Sequence, residues 1–423
     1  MMRILFCGQF YAPSVGGVQE VMRQIAERLV VRGHQVTVAT TKLPGRDFKT
    51  LNGVDIEEFH VSGNIVSGMA GEIEQYQEYV VTGDFDVVMI MAAQQWTFDA
   101  LWPVLDRVKY RKVFIPCGFS GLYEPAYAQY FQQLPGVLRK IDHLVFHATK
   151  YRDIDFAREH GIENYSVIPV GASEELFDVP VDASFRARHG IPEQSFLFLT
   201  VGSFTGLKGH LELANAFSRL ELAEGQHATL ILNGNDVQML DRSISGLLGK
   251  FVGLIRTHGV QGSVRHILNK SLGTGTSPKK VASLVNKSQP NKLVLVTDFP
   301  RPELTQAFMA ADLFVFASNI EYSPLVLYES AAAGTPFLSV RVGNSEEIAR
   351  WTGAGLICPS TVDERGYTRV DEVVLARSMA KLMQQRDRLA ELGARGKKNW
   401  SERFTWGKIS TQYEHIFQQL AGN

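Results

Sequence analysis

Short, wholly apolar runs alternate with stretches of helical periodicity along most of this chain. The first unit comprises an apolar run at 3–7, a Gly16-Gly17 loop, a helical stretch at 18–31 ended by Gly33, and a second run at 35–39. Val21, Ile25 and Leu29 recur at helical spacing, so one apolar stripe faces inward and the segment reads as a βαβ unit. Further runs at 87–91, 112–116, 144–146 and 165–169 alternate with helical stretches such as 72–80 and 151–160. Strands this apolar, with helices between them, predict a parallel sheet covered on both faces. A second series at 196–201, 229–233, 292–296, 313–317 and 336–342 predicts another sheet of the same kind.

Pro169, Gly171 and Pro180 interrupt both periodicities, which puts a domain boundary between 170 and 182. We therefore expect a Rossmann-like α/β domain over 1–172 and a second over 173–406. The length of 423 residues, 45% of them hydrophobic, exceeds what one ordinary core holds and supports the division. A net charge of -1 provides no global attraction for polyanions, so no nucleic-acid partner is expected. Cys7, Cys117 and Cys358 have neither close pairing nor zinc-type spacing, which fits a reducing cytosol and indicates no metal site. The N-terminal run is too short for a signal peptide, and no stretch approaches the ~20 apolar residues of a membrane span. A cytoplasmic protein, at most peripheral to the membrane, is the expectation.

The segment 241–292 stands apart, because Arg242, Lys250, Arg256, Arg265, Lys270, Lys279, Lys280, Lys287 and Lys292 face the single acid Asp241. With Leu247-Leu248, Phe251-Val252 and Leu254-Ile255 interleaved, it is a candidate for an anionic membrane surface. A solvated basic helix packed on its own domain is the plainer alternative, and Gly246, Gly249 and Gly253 argue partly for loop.

The chemistry concentrates in Glu321-Tyr322-Ser323-Pro324-Leu325-Val326-Leu327-Tyr328-Glu329. Ser323 as N-cap, Pro324 at the first helical position and Gly334 with Pro336 as the stop predict a helix over 324–333. Glu329 then lies inside the helix and Glu321 just before its N-terminus, where unpaired amides favour an anion such as a diphosphate. The preceding run, Leu313-Phe314-Val315-Phe316-Ala317, reads as a buried strand, and open α/β sheets bind ligands at strand carboxyl ends. Two carboxylates flanking a diphosphate suit a nucleotide sugar, which carries hydroxyls at both ends, and need no metal. The alternative is a capped buried helix with two solvated glutamates. Lys208, in Gly206-Leu207-Lys208-Gly209 after another buried strand, is placed to meet a diphosphate as a point charge. Gly16-Gly17 allows close backbone approach to a ligand or is simply a turn pair. Because it lacks the GxGxxG spacing, a hydride-transfer reading loses its usual support.

These residues closely resemble the large retaining glycosyltransferase family of GT-B fold, the family 4-like group. The resemblance rests on Glu321, seven residues and Glu329 followed by Ala332-Ala333-Gly334-Thr335-Pro336. It extends to Tyr11-Ala12-Pro13-Ser14-Val15-Gly16-Gly17, to Arg32-Gly33-His34, to Ile168-Pro169-Val170-Gly171, and to Val201-Gly202-Ser203 with Lys208-Gly209-His210. It covers nearly the whole chain apart from 241–292. The resemblance implies two facing Rossmann-like domains, with a last helix, about 407–423, crossing back onto the first. It also implies cofactor-free, metal-independent transfer of a hexose from a UDP- or GDP-linked donor to a saccharide or lipid-linked acceptor. The configuration would be retained, the acceptor attacking from the side the nucleotide leaves, in polysaccharide or glycolipid biosynthesis.

In that scheme Glu321 positions the hexose, Glu329 holds the ribose, and Lys208 stabilises the departing diphosphate. Gly16, Gly17, Ser203, Ser323 and the Leu325 amide complete the donor side, with base recognition expected from Thr297, Asp298 and Phe299. The chain departs from the family at Ser203, where an arginine is common; a hydroxyl donates only one neutral hydrogen bond, so another arginine is expected to compensate. It departs again at Cys117, before Gly118, where many relatives have histidine. Cys117 and Gly118 are the candidates for the acceptor and sugar side, and no basic partner marks Cys117 as a nucleophile. Two alternatives stand beside this reading: a sugar-nucleotide 2-epimerase, which needs an acid/base set the sequence does not display, and a catalytically degenerate nucleotide-sugar-binding relative.

Overall fold

The structure is a computed structural model that describes residues 1–235 and 277–422. Its strands, in chain order, are β1 (Arg3–Cys7), β2 (Gln35–Thr41), β3 (Thr50–Leu51), β4 (Val54–Phe59), β5 (Val61–Asn64), β6 (Gly68–Gly71), β7 (Val87–Met91), β8 (Arg111–Ile115), β9 (His143–Phe146) and β10 (Tyr165–Val167). They continue with β11 (Phe196–Val201), β12 (Ala228–Asn233), β13 (Lys292–Thr297), β14 (Leu313–Phe316), β15 (Phe337–Val340) and β16 (Gly355–Cys358). One sheet has the order β10-β9-β8-β7-β1-β2-β4-β3, and a second has β13-β12-β11-β14-β15-β16. Within these two sheets every pairing is parallel except β3 with β4; β5 and β6 form a separate antiparallel hairpin, and Thr361–Val362 pairs antiparallel with Thr368–Arg369. Parallel strands buried on both faces explain the wholly apolar runs.

Strand order fixes where ligands can sit. In the first sheet the chain moves outward to β2 on one side of β1 and returns to β7 on the other; in the second, β12 and β14 flank β11 in the same way. These are switch points, outside whose carboxyl ends a crevice opens. The loops there carry Gly16-Gly17 after β1, Lys208 after β11 and Glu321 after β14.

The chain crosses between the sheets twice, and the two crossings bind each other. The Ala172 amide donates to the Phe404 carbonyl (3.0 Å), and Trp400 Nε1 donates to the Ala172 carbonyl (3.1 Å). A Cβ on Gly171 would lie 2.3 Å from that Phe404 oxygen, so this contact requires glycine. The last helix, Trp406–Ala421, begins with its Trp406 and Gly407 amides on the Glu174 carboxylate (3.0 and 2.8 Å), an acid placed where the helix dipole favours it. It lies along the helix Gly17–Val31, and Glu414 accepts from Arg32 Nη1 and pairs with His34 Nε2, both at 2.9 Å. One contiguous apolar core includes Phe6 and Met89 of the first sheet and Phe198 and Phe314 of the second.

Residues 236–276 lie outside the described residues, and with them most of the basic segment named above as a candidate for a membrane surface. Its described end takes Lys292 out of that basic set. Residues Pro278–Ser288 form a helix capped by Ser277, and Lys292 opens β13 instead of a solvated face. Lys292 is buried, its ammonium donating to the Phe217 and Ser218 carbonyls (3.0 and 3.1 Å) that end the helix His210–Ser218, where a cation is favourable. Among the described residues no helix is long and apolar enough to cross a membrane.

Candidate functional site

Two loops of the second sheet meet at its switch point. Leu199 and Phe314 pair directly near the ends of β11 and β14, so the chain leaves both strands side by side. The loop after β11 is clamped onto the loop after β14: the Asn319 amide donates to the Leu207 carbonyl (2.8 Å), and the Ser318 hydroxyl bonds the same carbonyl (3.1 Å). Gly209 has φ +73°, and a Cβ there would lie 2.0 Å from the Ala317 carbonyl, so only glycine permits this approach.

The clamp brings Lys208 and Glu321 together, with Nζ 2.6 Å from Oε1. The Ser318 hydroxyl lies 2.9 Å from the same oxygen. Sequence reasoning gave these side chains separate duties; the structure joins them in one ion pair and leaves the second Glu321 oxygen for another partner. Ser203 lies in the same loop, its carbonyl accepting the Thr205 amide (2.8 Å). His210, next to Gly209, is driven by burial to a pKa of about 4 and is therefore neutral.

The helix after Glu321 spans Leu325–Ala333 and ends at Gly334, in the left-handed conformation expected of the stop. Its start differs from the expectation. Pro324 is extended (φ -72°, ψ 115°) and occupies the N-cap position, which pushes Ser323 one place out, and Ser323 makes no capping bond. A capping side chain belongs to the residue directly before the first helical one, so a serine ahead of an extended proline misses the helix amides. Leu325, the first helical residue, faces the other sheet: a Cβ on Gly17 would lie 4.0 Å from its Cδ1. The N-termini of Gly17–Val31 and Leu325–Ala333 thus confront each other across the gap, each with unpaired amides.

Glu329 is buried and paired with Arg301, a residue the sequence reading did not name. Burial works against the charged Arg301 guanidinium, but Glu329, and Glu20 from the first lobe, outweigh it and raise the arginine's pKa. The available signal was Pro300-Arg301-Pro302, an arginine between prolines opening a helix at the carboxyl end of β13. The neighbouring loop is ordered by Asn233, whose Oδ1 accepts from Thr297 Oγ1 (3.0 Å) and the Phe299 amide (2.9 Å), while the Phe299 ring lies 4.8 Å from His189.

Cys117, Gly118 and Phe119 form a tight turn after β8, with φ of 60°, 93° and 48°. The Gly118 amide donates to Asp153 Oδ2 (2.9 Å), and a Cβ on Gly118 would lie 2.9 Å from the Tyr322 ring. Burial, with Asp153 adding to it, pushes the Cys117 thiol up to about 12, so the thiolate a nucleophile needs is scarce. Two cavities of about 480 Å³ border the crossing segments around Phe404 and Trp400. Neither is lined by Lys208, Glu321 or Glu329; we regard them as clefts of the crossing, because the convergent charges and helix ends lie elsewhere. The arrangement around Lys208 can oppose negative charge on a diphosphate and present a carboxylate to hydroxyls on each side of it.

Residues 181–398 match the family described as glycosyl transferases group 1. A D-inositol 3-phosphate glycosyltransferase from Thermobispora bispora is 26% identical over 257 residues, 61% of this chain and 51% of that protein. The chain spans about half the length of the curated relatives it matches. Sucrose-phosphate synthase from Thermosynechococcus elongatus superposes over 100% of both chains with a TM-score of 0.70 at 18% identity. Anabaena Alr3699/HepE in complex with UDP covers 99% of this chain and 100% of its own, with a TM-score of 0.68 at 17% identity. At such identities the superpositions speak for the fold alone, which is GT-B. Family membership rests on the sequence match over more than half of the residues, and by that match the chain belongs to the group 1 glycosyl transferases.

Proposed function

We propose that the protein transfers a hexose from a UDP- or GDP-linked donor to a saccharide or lipid-linked acceptor with retention of configuration. The observation that carries the proposal is the Lys208–Glu321 pair, seated where two strands end and beside the opposed helix N-termini at Gly17 and Leu325. A diphosphate in that gap meets the lysine ammonium and the helix amides, so negative charge developing on it during departure is stabilised. Lys208 keeps its hold on one Glu321 oxygen while it faces the phosphate, and the second oxygen is presented to the hexose hydroxyls or the cationic anomeric carbon. Glu329, oriented by Arg301, takes the ribose hydroxyls, and the loop Thr297-Asp298-Phe299 faces the base. The acceptor hydroxyl attacks from the side the nucleotide leaves, and a phosphate oxygen takes its proton. Side chains and helix ends supply the charge for this scheme, so transfer is expected to persist in a chelator. A cell-surface polysaccharide or glycolipid pathway at the cytoplasmic face of the membrane fits such an acceptor.

The test is incubation with UDP- and GDP-linked hexoses, with and without saccharide and lipid-linked acceptors. The proposal expects acceptor-dependent release of nucleoside diphosphate, a product with the donor's anomeric configuration, and loss of both in Glu321→Gln. Conversion of the donor sugar without any acceptor, or full turnover in Glu321→Gln, would overturn it.

A further inference from the structure

Glu321 is held from two directions. Its carboxylate is bound by Lys208 and Ser318 of its own lobe, but its main chain is bound by the other lobe. The Tyr151 hydroxyl, from the loop after β9, donates to the Glu321 carbonyl at 2.6 Å. The next side chain is gripped as well: the His147 amide donates to the Tyr322 hydroxyl at 2.8 Å. The Tyr151 and Tyr322 rings touch, with centroids 5.0 Å apart. Behind them the Asn344 amide donates to the Tyr322 carbonyl (2.9 Å) and its Nδ2 to the His147 carbonyl (3.0 Å), so the segment has little freedom to shift alone.

We propose that Tyr151 is a positioning residue that, with Tyr322, forms a clamp between the lobes and sets the peptide carrying Glu321, so that the carboxylate is in register only while the lobes are closed. The inference rests on the role of Glu321 proposed above and adds to it how that residue is assembled. The carbonyl and side chain of Glu321 share one Cα. A displacement of that Cα large enough to break the Tyr151 bond would therefore also carry Oε1 away from Lys208 and Ser318. Positioning errors of this kind act on turnover and leave binding of the nucleotide half, at Glu329 and Arg301, alone.

Tyr151→Phe removes the hydroxyl and keeps the ring. Thr149→Val is the control: it removes the Thr149 hydroxyl from Glu347, another contact between the lobes, and leaves the Glu321 peptide untouched. Three quantities are measured: amide hydrogen exchange over residues 320–326, kcat for nucleoside diphosphate release from UDP- and GDP-linked hexoses, and Kd for UDP and GDP. In Tyr151→Phe, exchange is expected to accelerate and kcat to fall, each by roughly three- to tenfold for one lost hydrogen bond, with Kd within twofold. Thr149→Val is expected to leave kcat within twofold. Unchanged exchange in Tyr151→Phe, or an equal fall of kcat in Thr149→Val, overturns the clamp, the second by showing general cohesion of the lobes. If wild type releases no nucleoside diphosphate at all, the transfer reading falls, and the exchange measurement alone decides the clamp.

Discussion

A double-mutant cycle on Lys208 and Glu321 asks whether the two act as one unit, as their 2.6 Å contact requires. Their side chains are 31% and 14% exposed, so the pair is neither fully solvated nor fully buried. At an effective dielectric constant of about 20, opposite charges this close attract by several kcal/mol before desolvation, and water on the lysine side reduces that. A net coupling of about 1–3 kcal/mol remains, a factor of roughly 5–150 in rate. Lys208→Met removes the charge proposed to face the departing diphosphate and is expected to lower kcat by about 10²–10³. Glu321→Gln is expected to do similar damage. The double variant should fall by roughly 5- to 150-fold less than the product of the two single losses, because each substitution already weakens its partner. Steady-state release of nucleoside diphosphate, with donor and acceptor saturating, measures all four corners. Losses that multiply would refute the shared unit and return Lys208 and Glu321 to independent roles.

Arg301→Met leaves the buried Glu329 carboxylate without its partner; because Arg301 is 38% exposed, the cost in stability is expected near 1–2 kcal/mol, checked by thermal unfolding, with UDP or GDP affinity falling at least tenfold by calorimetry. Unchanged affinity would remove Arg301 from the site. Gly209→Ala forces a methyl against the Ala317 carbonyl at a positive φ, so the loop must move; a fall in melting temperature together with lost turnover is expected, and a silent variant would contradict the packing described. Asp99 and Asp153 have pKa values raised by burial to about 6 from the ordinary 3.8. The folded protein therefore holds these protons more tightly than the unfolded chain, and stability falls as pH rises from about 4 through 6, by up to about 3 kcal/mol per group. Asp99→Asn, which stays neutral, should gain in melting temperature relative to wild type as pH rises from 4 to 7.5. A difference independent of pH would refute that assignment.

The second sheet was legible because β11 to β15 are apolar on both faces and stand out as uninterrupted runs. β4 escaped for the opposite reason. Val54-Asp55-Ile56-Glu57-Glu58-Phe59 places acids between its apolar residues, since one face of the sheet edge meets solvent. The acidic pair Glu321 and Glu329 was readable because a helix stop and a buried strand bracket it in sequence. Arg301 and Tyr151 were not, because each reaches the site through tertiary contact, Arg301 from the end of β13 and Tyr151 from the other lobe; Ser318 lies only three residues before Glu321 but follows the apolar run with no motif to mark it. The misplaced Ser323 cap has a local cause, the extended Pro324, which a capping rule read one residue at a time does not reveal.

Calorimetric titration of UDP, UDP-glucose and their GDP counterparts into wild type, Glu329→Gln and Glu321→Gln separates the two ends of the donor. If the two glutamates grip opposite halves of a nucleotide sugar, Glu329→Gln weakens the bare nucleotide and the sugar nucleotide alike. Glu321→Gln then leaves the nucleotide untouched and abolishes only the extra affinity that the hexose contributes. Wild-type binding by Glu329→Gln, or a loss of bare-nucleotide affinity in Glu321→Gln equal to its loss for the sugar nucleotide, would contradict the assignment.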